Sequence, residues 1–137
     1  MRMTIELSTL IYEVRLELGA IPDDLIESEQ IHKEIKKANL YINYLIDPKW
    51  DNEDIQKQAI ISLASYYSYV NYLSIVSLQH DDVSSYVYQR ERVLRQIALS
   101  ILKTISIYPL TENLIIDEKM LDKMGTVGMV NTHNVWS

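Results

Sequence analysis

Apolar residues recur at intervals of three and four through most of the chain up to residue 109, which is the spacing of one face of an α-helix. In the first stretch the residues of this face are Leu7, Leu10, Ile11, Val14 and Leu18. They predict a first helix that begins between Thr4 and Ser8 and ends at Leu18. Gly19 follows directly, and glycine is the residue that most often takes the left-handed conformation just beyond a helix.

A second helical face follows the loop that contains Ile21-Pro22-Asp23-Asp24. Its residues are Ile31, Ile35, Ala38, Ile42 and Leu45. Ser28 precedes them and suits the N-cap position, because a serine hydroxyl accepts a hydrogen bond from the free N–H groups of a first turn. The helix is expected to end before Pro48, since the residue before a proline is disfavoured in the helical conformation.

The long stretch 53–108 contains neither proline nor glycine. A single helix of that span would be roughly 85 Å long at 1.5 Å per residue, which is too long for a compact domain. We therefore predict two helices with a break at Gln79-His80-Asp81-Asp82; the alternative is a break elsewhere between Asn71 and Asp82.

The ends of these two helices can also be predicted. Asp51 or Asn52 is expected to cap the third helix and Asp81 or Asp82 the fourth, which Pro109 ends. The inward residues of the fourth helix are predicted to be Val83, Val87, Leu94, Ile97, Ala98, Ile101 and Ile105.

Together these segments predict an all-α fold, a small four-helix bundle built from residues 1–109. Residues 110–137 lack a strong periodicity and are predicted to form an extended C-terminal arm. The arm contains the candidate interface residues Val127, Met129 and Trp136, whereas a disordered tail is commonly polar and charged. We expect the arm to order against another chain with Trp136 as its anchor; the alternative is that it packs back on its own bundle.

Gln58–His80 carries no formal charge and is long enough to span a bilayer. Its serines and its mid-segment Tyr66, Tyr67, Tyr69 and Tyr72 favour a helix buried on several sides by protein instead. At 100° per residue these tyrosines lie all round the helix, so we expect some of them to face a partner. Tyr66, Tyr69 and Tyr72 are the candidate interface residues, and an unusually tyrosine-rich core is the alternative.

Composition narrows the possible functions further. The 137 residues carry a formal net charge of −6 and contain no cysteine. Binding of nucleic acid depends mainly on Lys and Arg that neutralise phosphates, so an acidic chain is poorly suited to it. Without cysteine the chain can form neither a disulfide framework nor a thiolate metal site.

No arrangement of residues in the sequence indicates catalysis. His32, His80 and His133 are far apart, and the serines of the predicted helices lack a Gly-x-Ser-x-Gly context. We therefore predict a protein that is not an enzyme, has no catalytic residues, no metal site and no cofactor, and works by contacting other proteins.

Two clusters of basic residues allow two interpretations. The clusters are Lys33, Lys36 and Lys37, and Arg90, Arg92 and Arg95. One interpretation is a strip that faces phosphates. The other, which the composition favours, is a pair of solvated helix faces balanced by Glu29, Glu34 and Glu91.

The order of three segments carries a family resemblance. They are the loop Ile21-Pro22-Asp23-Asp24, the Tyr- and Ile-rich Ala38-Asn39-Leu40-Tyr41-Ile42-Asn43-Tyr44-Leu45-Ile46, and Gln58-Ala59-Ile60-Ile61-Ser62-Leu63-Ala64-Ser65-Tyr66-Tyr67. Over Thr4 to Tyr108 this layout resembles the head–tail connector proteins of tailed bacteriophages, also called adaptor or head-completion proteins.

The resemblance implies a structural virion protein of the neck, assembled in the host cytoplasm. Such proteins form a homo-oligomeric ring, commonly of twelve copies, which docks beneath the portal and bridges it to the tail or to further neck proteins. DNA passes through the ring without specific binding, no membrane is involved, and a C-terminal arm often holds the neighbouring copies. Two other classes stay open: a small acidic helical regulator or dimerisation module that binds a partner protein, and a DNA-binding helical domain, which the charge disfavours.

Truncation after Pro109 tests the predicted role of the arm. If the arm docks on another chain, the truncated monomer should keep its melting temperature but no longer join its assembly. Thermal unfolding followed by circular dichroism, with co-sedimentation of the assembly, measures both properties. A loss of several kcal/mol in the monomer's free energy of unfolding would instead assign the arm to the protein's own core.

Overall fold

A computed structural model describes residues 6–19, 21, 25–79, 85–108 and 110 of the chain. About 85 % of the described residues are helical and none of them lies in a strand. The predicted all-α fold is therefore confirmed for this part of the protein.

Within the described ranges, four α-helices follow one another along the chain. They are α1 (Ile11–Leu18), α2 (Ser28–Leu45), α3 (Glu53–Gln79) and α4 (Ser85–Ile105). A 3₁₀ turn, Leu7–Leu10, leads into α1, and a second one, Pro48–Trp50, connects α2 to α3. The predicted break after the third helix is confirmed at Gln79, while Val83 and the proposed caps Asp81 and Asp82 lie outside the described residues.

The central element is α3, because α1, α2 and α4 all pack against it. Residues 63–69 are buried without interruption, which amounts to nearly two helical turns, so no side of this part of α3 reaches solvent. Small side chains make the close approach of three neighbours possible. Ser65 satisfies its own hydroxyl by donating to the backbone oxygen of Ile61 at 2.6 Å.

This arrangement contradicts the prediction that Tyr66 and Tyr69 face a partner. Each has only 3 % of its surface exposed, and Tyr67 beside them is also buried. The prediction assumed a core on one side of the helix, whereas three neighbouring helices give α3 a core on every side. The alternative of a tyrosine-rich core is the correct one for these three residues. In the described part of the chain, no helix combines the length and the apolar character that crossing a bilayer requires.

The predicted inward face of α2 is confirmed, since all five of its apolar residues are buried. Two further residues of α2 are buried that the sequence did not single out, Tyr41 and Glu34. The Glu34 carboxylate accepts hydrogen bonds from Gln30 at 2.7 Å and from Asn71 of α3 at 2.8 Å. It also pairs with Lys37 at 3.1 Å. Glu34 therefore joins α2 to α3 and does not lie on a solvated face.

The end of α1 and the start of α3 agree with the sequence, whereas the start of α2 differs. Gly19 has a φ of +80° directly after α1, and the Asn52 side chain accepts a hydrogen bond from the backbone N–H of Ile55 at 3.1 Å. Ser28 does not cap α2, because the N-cap position is occupied by Glu27. The Ser28 hydroxyl accepts a hydrogen bond from Arg15 at 3.2 Å instead.

The inward face of α4 differs in part from the prediction. Leu94, Ala98 and Ile105 are buried as predicted, and Val87 and Ile101 are partly buried. Ile97 is exposed, and the structure buries two other leucines in its place, Leu99 and Leu102. The physical reason is that α4 packs mainly on α3. The buried strip of α4 is therefore narrow, and it lies beside the strip that was predicted from the sequence.

Helix α4 ends at Ile105, before the predicted end at Pro109, because the next residues pair with the chain after α2. Ser106 forms an antiparallel bridge with Ile46. The backbone N–H of Ile107 donates to the oxygen of Leu45 at 2.8 Å, and the N–H of Asp47 donates to the oxygen of Ile105 at 2.7 Å. We call this pairing the α2–α4 clasp.

Tyr66→Ser tests the assignment of α3 tyrosines to the core. The substitution should lower the free energy of unfolding by about 3 kcal/mol or more, because it leaves a cavity in a packed interior. Tyr12→Ser makes the same chemical change at an exposed position and should stay within about 0.5 kcal/mol of the parent protein. Urea denaturation followed by circular dichroism measures both, and equal effects would contradict the assignment.

Tyr41→Phe tests how burial of a phenol affects stability. Burial raises the pKa of Tyr41 from its ordinary value of 10.0 to about 12, so the unfolded chain loses this proton first. The parent protein should therefore lose stability as the pH rises from 10 to 12, and Tyr41→Phe should lose less. The Tyr41 hydroxyl has no hydrogen-bond partner among the described residues, so at pH 7 the variant should match or exceed the parent. Urea denaturation at neutral and alkaline pH checks both expectations; a clear loss at pH 7 would contradict them.

Candidate protein-interaction surface

The outer face of α1 carries an apolar pair. Val14 and Leu18 point into the core, whereas Tyr12 is 68 % exposed and Leu16 is 61 % exposed. The two exposed residues are four apart, so they are neighbours on the helix surface, on the side opposite the core face. Glu13 and Glu17 are also exposed and form the adjacent row. The outer face of α1 is therefore apolar along one row and acidic along the next.

The outer face of α2 carries a second apolar pair with the same spacing. Leu40 is 41 % exposed and Tyr44 is 38 % exposed. Lys33 and Lys36 are exposed on the same side, one to three turns earlier in the helix. Glu29 is exposed one turn before Lys33, so the outer face of α2 has two lysines between an acidic first turn and an apolar end. We refer to the two surfaces as the α1 outer face (Tyr12, Glu13, Leu16 and Glu17) and the α2 outer face (Lys33, Lys36, Leu40 and Tyr44).

An aromatic stack holds the apolar end of the α2 outer face in place. The rings of Tyr44 and Tyr108 stack with their centroids 5.4 Å apart and their planes 19° apart. Partial burial raises the pKa of Tyr44, and the neighbouring Tyr108 hydroxyl adds to this effect. Tyr44 is therefore neutral at any physiological pH, and its exposed ring edge is an apolar contact surface with a polar tip.

Helix α4 exposes apolar residues along one edge of its surface. They are Tyr86, Val93 and Ile97, with Tyr88 exposed beside the first turn. Their helical positions place Tyr86, Val93 and Ile97 close together in direction, next to the buried strip of the helix. This edge is a part of the α4 surface, next to the buried strip, that α3 does not cover.

Tyr72, the third predicted interface tyrosine, is only partly buried. Its ring lies 5.4 Å from the ring of Tyr69, centroid to centroid. Both rings line a cavity of about 230 Å³, together with Tyr86 and Arg90. Burial raises the pKa of Tyr69. The neighbouring Tyr72 and Tyr86 raise this pKa further, and Arg90 lowers it. The arm residues predicted to make contacts, Val127, Met129 and Trp136, lie outside the described residues.

Several of the basic residues that the sequence groups together have internal partners. Arg90 donates to the backbone oxygen of Glu17 at 2.6 Å, and Arg95 lies 3.9 Å from Glu91. Lys37 is held between Glu34 and the ring of Tyr67, whose centroid lies 5.3 Å from its ammonium group. These contacts weaken the interpretation of the basic residues as a strip that faces phosphates, because their charges are directed to groups of the protein itself. Lys33 and Lys36 are left on the α2 outer face.

No group of three or more His, Asp and Glu side chains in the described residues is close enough together to hold a metal ion. The exposed apolar pairs of α1 and α2 are the candidate surface features for binding. Sequence reasoning missed them because it read only the core face of each helix. Their signal is apolar residues that fall out of phase with that face, as Tyr12 and Leu16 do between Leu10, Val14 and Leu18.

Comparison of the chain with protein-family models, with curated proteins and with solved structures gives no match. The function is therefore inferred from the chain's own residues and from the layout of its segments.

Proposed function

We propose that the chain is a structural subunit of a virion neck, a head-to-tail connector that forms a ring below the portal and bridges it to the tail. One observation supports the proposal above all. The other helices enclose α3 in a core, and the outer faces of α1 and α2 still expose pairs of apolar residues. Such pairs on α1 and α2 are surfaces that another protein can cover.

The kind of exposed residue supports a contact role. Single exposed apolar residues are ordinary on a protein surface, but pairs four residues apart on a helix form a continuous ridge. Tyr12 and Tyr44 belong to such ridges, and tyrosine is enriched in protein interfaces because its ring packs while its hydroxyl stays polar. The exposed charged residues nearest the ridges are Glu13 and Glu17 on α1 and Lys33 and Lys36 on α2. This difference in sign gives orientation to a contact.

The position of the C-terminal chain supports a role for the arm. After the α2–α4 clasp, Tyr108 stacks on Tyr44 and Leu110 packs against the core. The described chain after α4 therefore meets the α2 outer face at Tyr108. An arm that begins at a contact surface is well placed to reach a neighbouring subunit or the portal.

The charge of the chain supports its place around DNA. A net charge of −6 and basic residues that are partly engaged by the protein itself give weak attraction for phosphates. A ring through which DNA must move benefits from weak contact, because each phosphate neutralised by Lys or Arg would hold the DNA back. DNA is accordingly a passing neighbour in this proposal, and the binding partners are other copies, the portal, and tail or further neck proteins.

Labelling of virions tests this proposal against the alternative of a small acidic regulator or dimerisation module. In purified virions of the phage or prophage that encodes the chain, gold-labelled antibody against it should mark the junction of head and tail. An amber mutant should accumulate DNA-filled heads and separate, unjoined tails. Electron microscopy records both results. Absence of the chain from virions, or label elsewhere on the particle, would contradict the connector role and leave the regulator as the better reading.

A further inference from the structure

We infer that the α1 outer face of one copy of the chain packs across the α2 outer face of a second copy. In this contact the two apolar pairs lie at the centre, and the acidic residues of α1 face the lysines of α2. The inference deepens the proposed function, and the closure of the contact into a ring rests on that proposal. The contact itself rests on the described residues alone.

The apolar pairs have matching dimensions. Tyr12 and Leu16 are separated by four residues, as are Leu40 and Tyr44, which corresponds to about 6 Å along each helix axis. Each pair lies opposite the core face of its own helix, so neither can be covered by α3. The pairs combine one aromatic with one aliphatic side chain on both helices, and they can therefore interdigitate.

The charges decide which face meets which. A contact between two copies of the α1 outer face would bring Glu13 and Glu17 against their own kind. A contact between two copies of the α2 outer face would do the same with Lys33 and Lys36. Like charges brought together in an interface cost several kcal/mol. Of the pairings possible between these two faces, only that of α1 with α2 joins the apolar ridges and opposite charges in one contact.

The charged groups of this contact are not already engaged. Among the described residues, the side chains of Glu13, Glu17, Lys33 and Lys36 have no ion-pair partner. Arg15, the cation nearest to them on α1, donates instead to the backbone oxygen of Ile26 at 2.9 Å. The acidic row of α1 therefore keeps its charge for a partner.

The layout of the two faces also sets the angle of the contact. On α1 the acidic row lies beside the apolar row. The two rows are about 8 Å apart on the surface of a helix about 11 Å in diameter. On α2 the basic pair precedes the apolar pair along the axis, and their midpoints are about 11 Å apart at 1.5 Å per residue. The rows of α1 match the pairs of α2 only when the two helices cross steeply. Long lysine and glutamate side chains span the remaining difference.

A contact between two different faces repeats. Each copy offers one α1 outer face and one α2 outer face, so an α1–α2 contact leaves one face of each kind free for a further copy. Repetition of this kind closes into a ring when the rotation between copies divides a full turn, and otherwise gives an open helical filament.

Engineered cysteines test the pairing in the full-length chain, which has no cysteine of its own. Under mild oxidation, the double variant Leu16→Cys/Leu40→Cys should give a ladder of dimers and larger products on a non-reducing gel. An equal mixture of Leu16→Cys and Leu40→Cys should stop at dimers, and either alone should stay monomeric. Leu16→Cys/Lys103→Cys, with its second cysteine at an exposed site on α4, is the matched control and should give no ladder.

The alternative results are distinct. Efficient dimers from Leu16→Cys alone would show an α1–α1 contact and overturn the inference, as would a double variant that stays monomeric or a control that gives an equal ladder. A double variant that stops at dimers would retain the pairing but overturn its repetition, and with it the ring.

Charge reversal gives an independent test in the same cysteine background. Glu13→Lys/Glu17→Lys and Lys33→Glu/Lys36→Glu should each lower the yield of cross-linked product about tenfold at low salt. All four substitutions in one chain should restore the yield, because the signs are exchanged and complementarity returns. Arg92→Glu/Lys103→Glu makes the same change in net charge as Lys33→Glu/Lys36→Glu, but on exposed positions of α4, and should leave the yield unchanged.

Failure of the four-substitution chain to recover would show that the substitutions do not act through pairing of opposite charges. An equal loss in the α4 control would show that net charge controls association. Either result would overturn the inference. The proposed function is tested separately by the virion labelling. A chain that pairs in this way but is missing from virions would refute the connector role and leave the pairing intact. A chain that is present at the neck but gives no α1–α2 cross-link would do the reverse.

Discussion

Burial of α3 on every side is the constraint on which the rest of this structure depends. A helix whose middle turns have no solvent-facing side needs three neighbours, and α1, α2 and α4 supply them. It also needs a long uncharged sequence, since an ionised side chain without a partner is costly to bury. Because each outer helix uses one face to cover α3, its opposite face is left at the surface. The exposed apolar pairs of α1 and α2 are thus a direct consequence of how the core is closed.

The same constraint explains which parts of the fold could be predicted from the sequence. One side of α2 is buried and the other faces solvent, so the spacing of its apolar residues correctly predicted that Ile31, Ile35 and Leu45 are buried. The middle of α3 has no side that faces solvent, so the spacing of its apolar residues does not indicate where each side chain points. The orientation of Tyr66 and Tyr69 depends on the number of neighbours around the helix, which is a property of the tertiary structure. Ile97 of α4 was misplaced for a related reason, since the width of a buried strip depends on what packs against it.

The candidate surface was less accessible to sequence reasoning than the fold. Tyr12 and Leu16 are visible as apolar residues out of phase with the core of α1, but Leu40 and Tyr44 lie close in sequence to the buried Tyr41 and look like part of the same core. Glu34 presents the opposite difficulty. It reads as a surface charge, and only its hydrogen bonds to Gln30 and Asn71 show how a carboxylate can be retained in the interior. For these residues of α2 the missing information is how far the buried face extends around the helix.

The α2–α4 clasp has a mechanical consequence. Two backbone hydrogen bonds, at 2.7 Å and 2.8 Å, hold the chain after α4 against the chain after α2, and both lie across the direction of the chain, as in an antiparallel ladder. Tension applied to the chain beyond Leu110 would load these two bonds in shear, so that both must break together before α4 begins to unwind. A pull on the chain after α4 is therefore shared with the chain after α2, and the packing of Leu110 against the core resists it as well.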